Sequence, residues 1–324
     1  MDTIWTHFRV SGQFSGVVIR NRLQTPDRKK ISAQILYCEI GYISSERVNS
    51  FDTQENRNDS LSAPIDDLFY RPTPQNPLLR ISFFSERILL LNKPAGLVTH
   101  PTKGDQYSSV ISRVKLLLES QSLVPEALHL INRLDRETSG LIVFAFDNEL
   151  AKKIRKAWET GQVRKTYLAL VHGHPNWSSI TCTGALGNDE ASPIHIRDTV
   201  RPDGKPSVTT FKVLQKFAQP DSGYSLIEAK PVTGRKHQIR IHLNHLGHPI
   251  VGDKIYGLDP MTYLRFISGS ISENDRRQMI FPWHALHAAS LEFPSGLLPM
   301  KHVECGPEDW FTEFCRINAW PDMM

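Results

Sequence analysis

Cysteine is scarce: four in 324 residues, and no two of them (Cys38, Cys182, Cys305, Cys315) stand in a CxxC pair. That spacing excludes a zinc ribbon and offers no disulfide framework, so four free thiols are expected. Long apolar runs are missing too. No stretch approaches the roughly 20 apolar residues that span a bilayer, and residues 1–10 lack the apolar run of a signal peptide. A soluble cytoplasmic protein with no membrane partner is expected. Nor does one sign of charge dominate, since 38 Lys and Arg stand against 34 Asp and Glu, a net of +4. A polyanion partner would therefore depend on how the cations cluster, not on their number.

The length suits two domains, or one large domain with an appendage, and 40% apolar residues suffice for a sizeable core. The first 80 residues read differently from the rest. Apolar residues across 31–43 are spaced for a short amphipathic helix with Gly41 near its end. Residues 51–64 are polar and turn-rich, and Pro72, Pro74 and Pro77 stiffen the connection onward. The main domain is expected over residues 81–324.

The densest chemistry lies at residues 129–146, HLINRLDRETSGLIVFAF. Residues 141–146 are an unbroken apolar run of strand length, suited to a strand buried on both faces. Just before it Arg133, Asp135, Arg136, Glu137, Thr138 and Ser139 form a polar knot, jointed at Gly140. One carboxylate, Asp135, lies between two arginines at the mouth of a buried strand. Opposite charges nearby keep a carboxylate ionised even where water is scarce, as a nucleophile or proton shuttle requires. Taken alone, such a knot is more often a solvated turn, because ion pairs perturb pKa values without catalysis.

Around the knot, residues 87–91 read as a strand, NKPAGLVTHP (92–101) as a tight loop and 108–120 as a helix. Residues 147–160 read as a helix capped by Asp147 and closed by Gly161, with Leu150, Ile154 and Ala157 on one face. Lys152, Lys153, Arg155 and Lys156 on its other face suit phosphate contact. RKTYLALV (164–171) reads as a strand in which Tyr167 is ordinarily a core residue with its hydroxyl satisfied. Residues 173–207 look irregular, with Arg197, Arg201 and Lys205 as a basic rim; 207–214 and 224–230 read as neighbouring strands.

Residues 235–246 read as a helix ended by Gly247, with Ile239, Leu243 and Leu246 in one stripe and Arg240 off it. Two patterns there mislead. Residues 247–254 imitate a phosphate-binding Walker loop, but Asp253 intervenes and no Ser or Thr follows Lys254, so no nucleotide cofactor is expected. His242, His245 and His248 swing around the helix axis, so no metal is expected. Residues 283–293 read as a last strand.

RLDRETSG resembles the signature of the RluA family of RNA pseudouridine synthases, approximately HRLDRxTSGLL. NKPAGLVTHP, RKTYLALV, TGRKHQIRIHL and WHALHAASLEF resemble its other hallmarks in the same order. One position departs: Asn132 stands where the family usually shows His. The resemblance implies an α+β pseudouridine synthase fold, a central mostly antiparallel mixed sheet split by a basic cleft, with a small N-terminal appendage. That appendage would be a degenerate S4-like RNA-binding module or scaffold. Asp135 would be catalytic, attacking C1′ or taking a proton from C2′; both routes stay open. Tyr167 would hold the target base and assist in removing the C5 proton. Arg240 would pair with Asp135 through its guanidinium fork. Arg133 would fill the gap left by a flipped base, with Arg136, Lys93 and Lys165 as further substrate contacts.

The implied reaction isomerises uridine in ribosomal RNA, or in transfer RNA, and needs no cofactor. A monomer is expected. Two other classes remain: an idle RNA-binding or ribosome-assembly factor on the same fold, and a small-molecule hydrolase using Asp135 with a histidine.

Overall fold

The computed structural model describes residues 79–101, 109–217 and 223–317. The expectations for residues 1–78, and Cys38 with them, lie outside the described residues. The first half runs β1 (Arg80–Phe84), β2 (Ile88–Lys93), α1 (Val110–Ser120), β3 (His129–Leu130), β4 (Ser139–Ala145), α2 (Asn148–Glu159) and β5 (Arg164–His172). Next come β6 (Ser179–Cys182), β7 (Leu186–Asn188), β8 (Asp198–Val200), β9 (Thr209–Phe217), β10 (Tyr224–Pro231) and α3 (Gln238–His245). The last part holds α4 (Pro260–Ile267), α5 (Glu273–Met279), β11 (Leu286–Glu292), β12 (His302–Glu304) and α6 (Asp309–Ile317).

Ten of these strands form one sheet, in the order β1-β2-β4-β11-β5-β10-β9-β6, with β3 and β12 attached to β4 and β11. Only the β4–β11 pairing is parallel among those ladders. The mixed, mostly antiparallel α+β architecture agrees with the sequence reading. β7 and β8 make a separate hairpin inside the stretch expected to be irregular.

β4 shows how pattern becomes packing. Its residues are all buried. Leu141, Val143 and Ala145 face a cluster with Leu150 and Ile154 of α2, while Ile142 and Phe144 face one with Val114 and Leu117 of α1. The apolar run is unbroken because both faces of the strand are covered by helices. Along its edge away from β2, β4 is shared: Ser139 and Gly140 pair with β11, and Phe144 and Ala145 pair with β3. The gap between is closed by the Asn132 side chain, whose Nδ2 donates to the Leu141 carbonyl (3.1 Å) and whose Oδ1 accepts from Val143 N–H (2.9 Å). A carboxamide presents donor and acceptor side by side, as a peptide group does, whereas the two nitrogens of an imidazole point apart. The departure from the family pattern thus has a structural part to play in this chain.

Gly140, the joint before the apolar run, has φ +112°, and a Cβ there would lie 2.3 Å from the Ala288 carbonyl oxygen and 2.5 Å from its nitrogen. Backbone cannot yield as a side chain can. Gly140→Ala is expected to cost on the order of 3 kcal/mol in urea unfolding; a loss below about 1 kcal/mol would show that β4 and β11 are not held this close.

Later elements differ from expectation. α3 starts at Gln238 rather than at residue 235, because the Gln238 side chain ties down the loop before it: Oε1 accepts from Thr233 Oγ1 and Arg235 N–H, and Nε2 donates to Val208 O and Thr209 Oγ1. Helices α4, α5 and α6 were not anticipated. Two carry ordinary start signals: Asp259 caps α4 ahead of Pro260, and Ser272 with Asp275 forms a capping box on α5. No helix among the described residues is long and apolar enough to cross a membrane.

Candidate active site

The turn that carries Asp135 is clamped from three sides. From the β2 side, Lys93 Nζ and Gly96 N–H donate to the Arg136 carbonyl (both 2.9 Å), and Thr99 Oγ1 donates to the Leu134 carbonyl (3.0 Å). From beyond α3, the buried Lys254 ammonium meets Glu137 at 2.9 Å. From β11 and the residues before it, His284 bonds Thr138 (2.7 Å) and His287 bonds Ser139 (2.8 Å). A carboxylate on such a turn is preorganised, its position fixed before substrate arrives.

Asp135 faces α3. Its Oδ2 accepts from Arg240 Nη1 at 3.0 Å, and its side chain keeps 32% exposure, so it remains reachable. Burial opposes the Asp135 charge, but the Arg240 guanidinium outweighs it and holds the carboxyl below the usual range. The fork itself points elsewhere. Arg240 Nε and Nη2 grip Asp253 at 2.7 and 2.8 Å, and Asp253 Oδ1 also accepts from Ile255 and Tyr256 N–H. Asp253 is fully buried, and Arg240 with its backbone donors keeps it ionised against that burial. Arg240 is therefore aimed by Asp253 and presents one free edge to Asp135. The residue that spoils the Walker pattern is the one that orients the arginine.

Asp135 and Arg240 lie in a cleft of about 350 Å³, which Arg133, Trp158, Lys165, Tyr167 and His237 also line. Tyr167 stands mid-sheet on β5, opposite Ala229 and Ala288, two small residues that leave room for its ring. Burial, and then the Asp135 charge, push its phenol pKa up, so Tyr167 is neutral at ordinary pH.

The family model described as RNA pseudouridylate synthase matches residues 87–245. The chain is 33% identical over 252 residues to ribosomal large subunit pseudouridine synthase D of Xylella fastidiosa, covering 76% of this chain and 70% of that protein. That match decides the family. The chain belongs to the RluA family of RNA pseudouridine synthases. It is also 39% identical over 170 residues to an uncharacterized RNA pseudouridine synthase of Chloroflexus aurantiacus, covering 51% of each, so it spans about half of that relative. Among solved structures, human RNA Pseudouridylate Synthase Domain Containing 1 shares the fold, with TM-score 0.56 and 23% identity over 78% of this chain and all of that one.

The substrate contacts expected from the RluA resemblance divide in two. Arg133 is exposed on the cleft wall, and Lys165, 7% exposed, also lines it, 5.9 Å from the Trp158 ring centroid. Lys93 does not reach it. It is fully buried, and its three N–H groups are taken by the carbonyls of Pro94, Leu97 and Arg136. Burial draws its ammonium down to about 7, and its place is to anchor the loop. Arg136 also turns away: its Nε donates to the Gly96 carbonyl (3.2 Å) and its guanidinium lies 5.8 Å from the Trp283 ring centroid. The proposed basic rim is largely neutralised, because Arg197 pairs with Asp189 and Arg201 with Glu190 and Asp203. His242 is buried against Ser207, Thr209 and Gly184.

Burial sets the histidines of this region. It pulls His287 down to about 4; burial together with Arg240 does the same for His237 and takes His284 well below its ordinary value. In the unfolded chain each would titrate near 6.5. Below that pH the unfolded chain binds more protons than the folded one, so stability is full above about 6.5 and is lost as pH falls toward 4. For His237 and His287 alone, lowering the pH from 7.5 to 5.5 is expected to cost on the order of 3 kcal/mol in urea unfolding. Equal stability at both pH values would mean that these histidines take up protons in the fold as readily as in the unfolded chain.

Proposed function

We propose that this protein is an RNA pseudouridine synthase in which Asp135 is the reacting carboxylate. The observation that carries the reading is a partly exposed Asp135 paired with Arg240 in a cleft that Tyr167 also lines. The uridine C1′–N1 bond breaks, the base turns, and C1′ is rejoined to C5; C5 gives up its proton and N1, freed from C1′, ends with one. Nothing is oxidised, so the reaction balances without a cofactor. Asp135 either attacks C1′ or takes the C2′ proton, and both routes need it ionised. Tyr167, neutral in this setting, acts as a ring and hydroxyl against the base, because burial and Asp135 both disfavour the phenolate that would accept a proton.

The target uridine must leave its stack to reach Asp135, at a cost of a few kcal/mol in structured RNA. In this reading Arg133, exposed on the cleft wall, occupies the space the base vacates and Lys165 meets the nearby backbone; their position along the cleft supports it. Large-subunit ribosomal RNA is the favoured substrate, since relatives bear that name, with transfer RNA second. Action as a monomer in the cytoplasm goes with this reading. The test is release of tritium from RNA labelled at uridine C5, using purified full-length protein and total RNA from cells that lack it. Release is the expected result; RNA binding without release would favour an idle binding factor.

A further inference from the structure

His237 is the last residue before α3, and its backbone sits at φ +54°, a left-handed conformation uncommon for a side chain with a Cβ. Strain of this kind persists where the surroundings impose it, and it gathers at functional sites. The result here is that the imidazole turns into the cleft instead of outward. Its Nδ1 lies 2.9 Å from the Tyr256 hydroxyl, and its Nε2 lies 3.8 Å from Asp135 Oδ2.

The tautomer follows from counting donors. Tyr256 oxygen already accepts from the backbone N–H of Asp198 at the start of β8 (3.3 Å). Its own hydrogen then has His237 Nδ1 as acceptor, the only other polar atom that meets the hydroxyl among the described residues. Nδ1 as acceptor leaves the ring proton on Nε2. At 3.8 Å that N–H is too far from Asp135 for a hydrogen bond, so it faces the cleft without an acceptor at bonding distance. Tyr256 is itself fixed, because its N–H donates to Asp253 and its ring lies 5.0 Å from the Arg240 guanidinium.

We propose that Tyr256 holds His237 as its Nε2–H tautomer, and that this neutral N–H donates to a carbonyl oxygen of the target uracil beside Asp135. The inference rests on the synthase reading above. When C1′–N1 breaks, its electron pair passes to the base and the charge spreads over N1 and the carbonyl oxygens. A donor aimed there strengthens as charge develops, while the proton stays on Nε2 and no bond to histidine forms. Neutrality is part of the design. An imidazolium so close would compete with Arg240 for Asp135. Arg240 and Lys236 disfavour the charged ring, Asp135 and Asp253 favour it, and burial decides for the neutral form, with a pKa of about 4.

The test has two readouts on the full-length chain. Nitrogen-15 NMR of the imidazoles, assigned with His237→Asn, should show Nδ1 bare and Nε2 protonated from pH 5.5 to 8, and a tautomer mixture in Tyr256→Phe. In tritium release from C5-labelled RNA, His237→Asn should lower turnover about 100-fold with RNA binding within about threefold, as for loss of one oxyanion donor. His237→Gln, which keeps a donor of similar reach, should recover about tenfold of that, and Tyr256→Phe should lose about tenfold. A folded His237→Asn protein at wild-type turnover, or a wild-type ring protonated on Nδ1, overturns the proposal. If His237→Asn does not fold, His237→Gln assigns the ring signal, and the tautomer in wild type and Tyr256→Phe decides. A wild-type protein that releases no tritium defeats the synthase reading instead, and the tautomer remains readable.

Discussion

Asp135→Asn is expected to abolish pseudouridine formation, lowering turnover by at least about 10⁴-fold, while the protein stays folded and RNA binding stays within a fewfold. The fold should survive because Arg240 keeps its two-point grip on Asp253, so its buried charge is still balanced when Asp135 becomes an amide. Activity should not survive, since a carboxamide neither attacks C1′ nor takes a proton from C2′. Phosphate contacts supply most RNA affinity, and none of them passes through Asp135. Single-turnover assays with C5-labelled RNA, alongside filter binding, separate the two quantities. Turnover within about tenfold of wild type would remove Asp135 from the chemistry; joint loss of fold and binding would make it structural.

Asp253→Asn is expected to show the reverse weighting. The amide keeps the shape, but the buried Arg240 loses its closest counter-charge, and one carboxylate oxygen facing it becomes a donor. Removing one partner of a buried ion pair typically costs 3–5 kcal/mol, and a loss of about that size should appear in urea unfolding. Asp135 is partly exposed and touches only one guanidinium nitrogen, so it cannot fully compensate. A cost below about 1 kcal/mol would mean that Asp253 does not set the position of Arg240.

The difference between these two aspartates is also the difference between what the sequence discloses and what it hides. Asp135, Tyr167 and Arg240, which line one cleft, stand out in the sequence only through the strings that resemble RluA hallmarks; by residue type alone Asp135 reads as part of a solvated turn and Tyr167 as core. The strand β4 was legible because burial on both faces leaves no polar residue in it. Asp253 was not, since its meaning depends on Arg240 across the turn that follows α3, and along the chain it only spoiled another pattern. Lys93 reads as a substrate contact but is buried: the carbonyls of Pro94 and Leu97 in its own loop and of Arg136 across the site cap its ammonium, and nothing in the residue types of that loop marks the lysine for burial. The helices α4 and α5 are hard to read from the sequence although their caps are visible, because they span only eight and seven residues and α4 buries only Thr262 fully.

The central claim is that Asp135 makes pseudouridine in RNA. It is tested most directly by pseudouridine mapping of total RNA from cells lacking the protein, rescued with wild type or with Asp135→Asn. Carbodiimide adducts read as reverse-transcription stops give the map. One or a few sites should vanish in the absence of the protein and return only with wild type, and their positions name the substrate. An unchanged map across growth conditions, or sites restored equally by Asp135→Asn, would contradict the claim.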